Sequence, residues 1–208
     1  MEQDKNEKII ILAAPSGAGK TTIKGRIIAA LPNNLAFSVS ATTRQIRAGE
    51  QEGVDYCYLT TDAFRNIIDA DGFVEWEMVY EGMYYGTTKA EMERIWKLSK
   101  TPLLDIDVFG AIKVKNNFGN KALSIFIAPP SIEELKERLV KRGTDSLETI
   151  NKRLQKADLE IQQQQHFDEV VLNDDLDKAT DRVLTLITNF LGIKKQKSMT
   201  SNTGVADI

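Results

Sequence analysis

The sequence predicts an α/β fold in which a parallel core sheet is flanked by helices. Four short apolar segments are typical of buried parallel strands, because stretches with helical periodicity separate each from the next. These segments are residues 9–13, 102–106, 122–128 and 168–172. Between residues 35 and 95, short alternating runs replace them and indicate a mixed α/β lobe inserted into the core. We therefore expect a single domain whose core comprises residues 8–34, 96–137 and 156–191.

The loop after the first predicted strand carries the strongest functional signal. Residues 14–21 read Ala-Pro-Ser-Gly-Ala-Gly-Lys-Thr and lead into a helical pattern. Glycines let successive backbone N–H groups point inward, and a helix N-terminus adds partial positive charge, so this context is typical of a phosphate-binding P-loop. Lys20 is expected to reach the β- and γ-phosphates of a nucleoside triphosphate, and the Thr21 hydroxyl to ligate Mg²⁺. The expected triphosphate contacts in this segment are Ala14, Pro15, Ser16, Gly17, Ala18, Gly19, Lys20, Thr21 and Thr22.

The composition is that of an ordinary globular protein, and it argues against several classes of function. The net charge is −3 over 208 residues, so no overall attraction to nucleic acid or to anionic membranes is expected. A single cysteine, Cys57, excludes an internal disulfide, and with the single histidine, His166, it argues against a structural zinc site. No run approaches the ~20 apolar residues of a membrane span, and residues 1–8 lack the apolar region of a signal peptide. We expect a cytoplasmic protein.

Helix signals continue through the second half of the chain. After two prolines, Ser131 and Glu134 form a capping box that opens a helix. Basic residues concentrate over residues 138–155. The final predicted helix, at about residues 175–191, places its apolar residues on one stripe. Residues 192–208 are polar and aperiodic, and we expect them to form a flexible tail.

A second group of candidate phosphate-binding residues lies within the lobe. Arg44 and Arg47 follow hydroxyl-bearing residues and precede Tyr56. Guanidinium groups match phosphate oxygens bidentately, and a tyrosine hydroxyl donates to the same group. Together with the loop, these motifs resemble the guanylate kinase family over about residues 8–191. The matching segments are residues 14–21, 40–50, 53–56, 75–76, 84–87, 104–108, 128–131, 142–143 and 171–175.

The resemblance implies which residues bind GMP. The phosphate-binding set is Arg44, Arg47, Tyr56 and Tyr85. The guanine-binding set is Ser40, Glu75, Thr87 and Asp107. Guanine presents N1–H and N2–H₂ as adjacent donors, so an ionised carboxylate such as that of Glu75 accepts both, whereas adenine offers neither donor. The hydroxyls of Ser40 and Thr87 complement the O6 acceptor.

The resemblance also implies how the triphosphate is handled. It implies that residues 138–155 form a helical lid, whose arginines close over the transferring phosphoryl group and stabilise its spreading charge. The expected catalytic set is Lys20, Arg44, Arg138, Arg142 and Arg153. Asp105 is expected to support Mg²⁺ through water, and Asn173 to contact adenine. The alternative for the lid arginines is a solvated helix face, and for the loop an ordinary strand-to-helix turn.

The expected activity is Mg²⁺-dependent phosphorylation of GMP, and of dGMP, by ATP, in a monomer or a homo-oligomer. Two positions depart from the family pattern: Ala14 stands where the P-loop usually begins with glycine, and Phe109 stands where glutamine usually precedes Gly110. One alternative is a kinase of the same fold that acts on another monophosphate, against which Glu75 argues. The other is a guanylate-kinase-like scaffold that binds protein ligands without catalysis, against which the retained Lys20 argues.

Overall fold

The computed structural model describes residues 7–143 and 146–193; parts of the predicted lid and tail, at 144–145 and 194–208, lie outside the described residues. The strands are β1 (Ile9–Ala13), β2 (Leu35–Phe37), β3 (Ala41–Thr42), β4 (Cys57–Tyr58), β5 (Phe73–Tyr80), β6 (Met83–Thr88), β7 (Thr101–Asp105), β8 (Ala122–Ala128) and β9 (Glu169–Leu172). The α-helices are α1 (Lys20–Ala30), α2 (Thr61–Asp69), α3 (Lys89–Lys97), α4 (Val108–Phe118), α5 (Ile132–Arg142), α6 (Leu147–Ile161) and α7 (Leu176–Leu191). Within the described ranges, none of the helices combines the length and apolarity needed to cross a membrane.

The core sheet has five parallel strands in the order β2-β7-β1-β8-β9. β1 lies at its centre, and all five of its residues are fully buried. The predicted parallel sheet flanked by helices is confirmed, and the four predicted strands correspond to β1, β7, β8 and β9. The fifth strand, β2, is missing from the prediction because three residues are too few to show a hydrophobic period. Since β2 occupies the first residues of the predicted lobe, the core sheet extends into that range.

Alternate residues of β1 pack on opposite faces of the core sheet. Ile10 and Leu12 belong to a cluster in which Ile23 of α1 and Val183 of α7 are also fully buried. Ile11 belongs to a second cluster, to which α3 and α4 contribute. Each such side chain stabilises the fold by about 1.5–3 kcal/mol through burial. Both layers of helices are therefore fixed on the strand that leads into the P-loop.

Strands β3 to β6 form a second sheet, which we call the lobe sheet. Its order is β4-β3-β6-β5, and β3 is parallel to β4 but antiparallel to β6. Phe64 of α2 and Phe73 of β5 stack within its small core, with 4.4 Å between the ring centroids. The pairing of β5 with β6 sets Glu75 directly opposite Thr87. Because opposite residues of paired strands share a face, these two polar side chains lie side by side.

Polar side chains fix where two helices near the cleft begin. The Ser131 hydroxyl accepts a hydrogen bond from the backbone N–H of Glu134, so the predicted cap of α5 is confirmed. Asp107 caps α4 in the same way, accepting from the N–H groups of Phe109 and Gly110. The final helix, α7, begins one residue later than predicted and ends at the predicted residue.

Asp168 ties the edge strand β9 to its neighbours. Its Oδ2 accepts hydrogen bonds from the backbone N–H and the hydroxyl of Ser124 in β8, each at 2.8 Å. Its Oδ1 lies 2.8 Å from the Nζ of Lys115 in α4. Burial opposes ionisation, but the contacts with Lys115 and Ser124 outweigh it, so the pKa of Asp168 is lowered.

We expect Asp168→Asn to lower the free energy of unfolding at pH 7 by about 1.5–3 kcal/mol, because charge-assisted hydrogen bonds are weakened. A carboxyl with a depressed pKa stabilises the fold above its unfolded pKa of about 3.9, and this contribution is lost as the pH falls through the folded pKa. The difference between variant and wild type should therefore shrink toward pH 3. Urea unfolding measures it, with Asp181→Asn at an exposed site of α7 as the control. Equal stabilities at pH 7 would contradict the prediction.

Candidate active site

A cleft of about 690 Å³ lies where the carboxyl ends of β1 and β7 meet the lobe sheet. Ligands bind at this edge in open parallel α/β sheets. The loop between β1 and α1 forms one wall, the lobe sheet a second, and α5 and α6 a third. Of the predicted loop residues 14–22, all except the buried Ala18 line the cleft.

Two glycines and an asparagine shape the loop. Gly17 and Gly19 have φ values of 96° and 93°, a left-handed conformation that other residues rarely adopt. The Asn173 Nδ2 donates to the Ala18 carbonyl at 2.6 Å, and a Cβ on Gly19 would lie 2.3 Å from that nitrogen. Asn173 is buried behind the loop and lies outside the cleft lining. The residue expected to contact adenine therefore holds the loop in this structure.

Lys20, the loop lysine, is held by a carboxylate from the neighbouring strand. Its Nζ lies 2.6 Å from Asp105 Oδ1 and donates to the Ile106 carbonyl at 2.9 Å. Lys24, one turn further along α1, lies 2.9 Å from the other oxygen of Asp105. Burial alone would raise the pKa of Asp105, but the two ammonium groups lower it below its usual value. Asp105 is therefore ionised at neutral pH and positions Lys20 beside the loop.

Arg44 is buried and bound in a fork by Glu50. The Nη1–Oε2 and Nη2–Oε1 distances are 2.9 and 2.8 Å. Glu50 also accepts from the Tyr58 hydroxyl and from the Arg47 backbone N–H, each at 2.8 Å. These contacts, above all the one with Arg44, lower the pKa of Glu50 to about 2. The same pair raises the pKa of Arg44, so both groups stay charged and the guanidinium has one orientation.

Two tyrosines cover Arg44 on the cleft side. The guanidinium carbon lies 5.2 Å from the centroid of the Tyr56 ring, and the Tyr56 and Tyr85 rings meet edge to face at 5.9 Å. Both tyrosines line the cleft, and burial raises the pKa of Tyr56, which keeps its hydroxyl a donor. Neither arginine lines the cleft: Arg44 is buried beside Tyr56, and Arg47 is exposed. The structure thus brings three of the four predicted phosphate-binding residues together and leaves Arg47 at the surface.

Glu75 is a buried carboxylate in the wall of the cleft, only 6% exposed. Its Oε1 accepts a hydrogen bond from the hydroxyl of Thr87, which is fully buried, at 2.8 Å. Burial raises the pKa of Glu75 to about 7, against the lowering effect of that hydrogen bond, and the charge of Asp107 raises it further. Thr87 therefore orients Glu75, whereas Ser40 itself lines the cleft. A ligand that donates hydrogen bonds to Glu75 favours its ionised form.

Asp107 combines a place in the cleft lining with its role as the cap of α4. One oxygen, Oδ1, accepts from the N–H groups of Phe109 and Gly110 at 2.9 and 3.1 Å. The side chain of Phe109, the departure from the family pattern, is 43% exposed and lies outside the cleft lining. Phe109 therefore contributes nothing to the described wall of the cleft.

Two lid arginines reach the cleft from α5 and α6. Arg138 donates to the Asn173 carbonyl at 3.0 Å, and Arg153 donates to the Ser16 hydroxyl at 2.8 Å. Both contacts join the lid helices to the loop or to the asparagine behind it. The side chain of Arg142, the third predicted lid arginine, lies outside the described part of the chain.

Four further charged residues near this cleft have no predicted role. They are Lys24, Glu50, Lys156 and Glu160. Lys156 and Glu160 follow Arg153 at spacings of three and seven residues, which places all three on one face of α6, and burial raises the pKa of Glu160. Helical spacing from the loop lysine would likewise have found Lys24. Glu50 had no such signal, because its pairing depends on the path of an irregular loop.

The family model for guanylate kinase matches residues 6–190. The chain belongs to the guanylate kinase family. The guanylate kinase of Porphyromonas gingivalis is 48% identical over 184 residues, covering 88% of this chain and 98% of that relative. That of Salinibacter ruber is 48% identical over 189 residues, covering 90% of this chain and 98% of that relative. A crystal structure of guanylate kinase from Anaplasma phagocytophilum aligns with a TM-score of 0.70 at 30% identity, covering 88% of this chain and 85% of that one.

The guanylate kinase match extends over every element that lines the cleft. The loop after β1, the lobe sheet, α5 and α6 all lie within residues 6–190. The relatives are matched over nearly their whole length, so the family resemblance drawn from separate sequence motifs is confirmed.

In this guanylate kinase domain, the buried charge of Glu75 should reduce the stability of the fold. Its pKa rises from 4.5 in the unfolded chain to about 7 in the folded protein. Ionisation therefore opposes folding increasingly as the pH rises from 4.5 to about 7, fully above that range and not at all below it. We expect Glu75→Gln to raise the free energy of unfolding at pH 8 by on the order of 3 kcal/mol, since one pKa unit corresponds to about 1.4 kcal/mol.

Urea unfolding at pH 8, 6 and 4.5 measures this effect, and the gain should disappear at the lowest pH. Glu93→Gln, at a carboxylate of α3 that is 63% exposed, is the matched control and should change little at any pH. A Glu75→Gln variant that is less stable than the wild type at pH 8 would show that the carboxylate is not penalised by burial.

Proposed function

We propose that this chain transfers the γ-phosphoryl group of ATP to the phosphate of GMP, forming ADP and GDP. The observation that carries the proposal is that Lys20, Tyr56, Tyr85 and Glu75 meet around one cleft. Membership of the guanylate kinase family supports it. The volume of about 690 Å³ lies within the range of about 300–1,000 Å³ that is usual for ligand sites.

ATP is proposed to bind with its β- and γ-phosphates at the loop. The backbone of this loop turns at Gly17 and Gly19, and the N-terminus of α1 adds partial positive charge. Lys20 carries the charge that follows the transferring group, while Arg138 and Arg153 stabilise charge spread over its equatorial oxygens. An oxygen of the GMP phosphate attacks the γ-phosphorus as the bond to ADP breaks, so the protein supplies no nucleophile.

The GMP phosphate is proposed to bind beside Arg44, Tyr56 and Tyr85. Glu50 and the Gln45 carbonyl accept from part of the Arg44 guanidinium, and its remaining N–H groups and the tyrosine hydroxyls supply donors to the phosphate. Arg47 reaches it from the surface of the loop. Because Arg44 already has a fixed orientation, little side-chain entropy is lost when the phosphate binds.

Guanine is proposed to bind against Glu75, with Asp107 as a second acceptor and Ser40 at O6. The N1–H and N2–H₂ donors of guanine stabilise the ionised carboxylate, whereas adenine would leave it buried and unpaired. A site built on such pairing rejects the wrong base by as much as ~10⁴-fold. None of these contacts involves the 2′-hydroxyl, so we extend the proposal to dGMP.

Mg²⁺ is proposed to enter with ATP, as it generally does in kinases. Within the described residues, no group of three or more His, Cys, Asp or Glu side chains forms a metal site. Thr21 lines the cleft at the start of α1, and Asp105 lies close by at the end of β7. One hydroxyl and one carboxylate acting through water fit Mg²⁺, which keeps several waters and takes phosphate oxygens as ligands. Thr21 and Asp105 would hold the ion, which neutralises phosphate charge.

A coupled assay of ADP release with GMP, dGMP, AMP, CMP and UMP tests the proposed function. We expect turnover with GMP and dGMP and little with the others. Turnover only with another monophosphate would indicate a kinase of the same fold with a different acceptor. No ADP release that depends on any nucleotide would indicate a scaffold without catalysis.

Replacing Lys20 with Met removes the cation that follows the transferring phosphoryl group. We expect kcat to fall by about 10²–10³-fold, in the range seen when one such group is lost. The melting temperature should stay nearly unchanged, because Lys24 still balances the charge of Asp105. Lys97→Met, at a lysine that is 79% exposed in α3, is the control. Activity of the Lys20 variant within a few-fold of wild type would place the phosphates elsewhere.

Glu75→Gln tests the choice of base. At least one charge-assisted hydrogen bond to guanine is lost, so kcat/KM for GMP should fall by about 10- to 150-fold. The KM for ATP should barely change, because the loop is untouched. The kcat/KM for AMP should fall less than that for GMP, or rise slightly. If kcat/KM fell equally for ATP and for GMP, Glu75 would support the fold rather than the base-binding site.

A further inference from the structure

Gly110 lies in the first turn of α4, where a glycine is unfavourable. It follows the capping residue Asp107 by three positions and is buried. Its φ is outside the positive range, so a residue with a side chain could adopt the same backbone without strain. Alanine is also the better helix former. Neither backbone conformation nor helix propensity therefore explains the glycine.

The space beside Gly110 is taken by two carboxylates. A Cβ built on this residue would lie 2.9 Å from Glu75 Oε2 and 3.1 Å from Asp107 Oδ2. Both distances are shorter than ordinary van der Waals contact, so a methyl group would displace at least one carboxylate. Gly25, in the interior of α1, has nothing within 4 Å of its corresponding position. Crowding by acidic side chains is thus a property of Gly110 and not of helical glycines in general.

The two oxygens next to Gly110 differ from those that bind the protein's own donors. Oε1 of Glu75 accepts from Thr87, and Oδ1 of Asp107 accepts from the start of α4. The other oxygen of each carboxylate, Oε2 of Glu75 and Oδ2 of Asp107, lies 2.9 and 3.1 Å, respectively, from the position that a Cβ on Gly110 would take. The placement of these two acceptor oxygens therefore depends on the missing side chain, and acceptors are what the N1–H and N2–H₂ donors of guanine require.

We propose that Gly110 is a positioning residue that determines base specificity: its missing side chain lets Glu75 and Asp107 each present one oxygen to the N1–N2 edge of guanine. The inference rests on the proposed function, in which these two carboxylates bind the base. Gly110 itself makes no contact with the reacting atoms and acts only through its two neighbours.

Gly110→Ala, matched with Gly25→Ala, tests the inference. We expect Gly110→Ala to raise the KM for GMP by at least about tenfold and to leave the KM for ATP within about twofold, as loss of ground-state contacts to one substrate predicts. Gly25→Ala should change neither value. Glu75→Asp shortens the side chain by one methylene and makes room for the methyl group. The double variant Gly110→Ala with Glu75→Asp should therefore have a lower KM for GMP than Gly110→Ala alone. Glu75→Asp by itself should raise the KM for GMP.

A crystal structure of Gly110→Ala provides a second, independent readout. A displaced Glu75 or Asp107 carboxylate supports the inference, whereas both carboxylates unmoved, or an unchanged KM for GMP, would overturn it. Equal rises in KM for ATP and GMP with a lower melting temperature would also overturn it, because they indicate a structural role. If the wild-type chain does not turn over GMP, the proposed function fails, and the structure of the variant still decides whether the glycine positions the carboxylates.

Discussion

β1 pairs in parallel with β7 on one side and with β8 on the other, and the position of the cleft follows from this pairing. Parallel strands end at the same edge of a sheet, so the loop after β1 and the acidic end of β7 emerge side by side. The register sets Leu12 opposite Asp105. Lys20, far from Asp105 in sequence, is thereby brought to 2.6 Å from its carboxylate. The buried strands supply a rigid frame, and charged residues gather where that frame ends.

Around this edge, acidic side chains hold the cationic ones in place before any phosphate arrives. Asp105 holds two lysines, and Glu50 holds Arg44 in a fork. A buried guanidinium or ammonium without a partner would be costly, and these carboxylates offset that cost. They also fix the orientation of the donors, so the proposed binding of a phosphate would require little reorganisation. Because each cation keeps further N–H groups, the phosphate would join the network as an additional acceptor and need not replace the carboxylate.

Local patterns were sufficient to predict the parts of the molecule that depend on local physics. The strand before the loop, the glycines within it and the Ser131 cap are set by residues close in sequence. Other features depend on contacts that no local pattern records. Thr87 orients Glu75 because β5 and β6 pair in one register. Asn173 supports the loop because Gly19 leaves room for its amide, and the whole fold is needed to bring them together.

Glu75 is arranged in the opposite way to Asp105 and Glu50, whose pKa values are lowered by the cations beside them. The groups that act on its pKa are Thr87, Asp107 and Glu77, and none of them is cationic. Its charge is therefore disfavoured in the protein alone and becomes favourable only when a ligand brings donors to it. A base with two adjacent donors restores the balance, and a base that presents an acceptor there makes it worse. In the proposed function, the same burial that weakens the fold at this position would make discrimination between guanine and adenine strong, because the wrong base would leave a charge desolvated and unpaired.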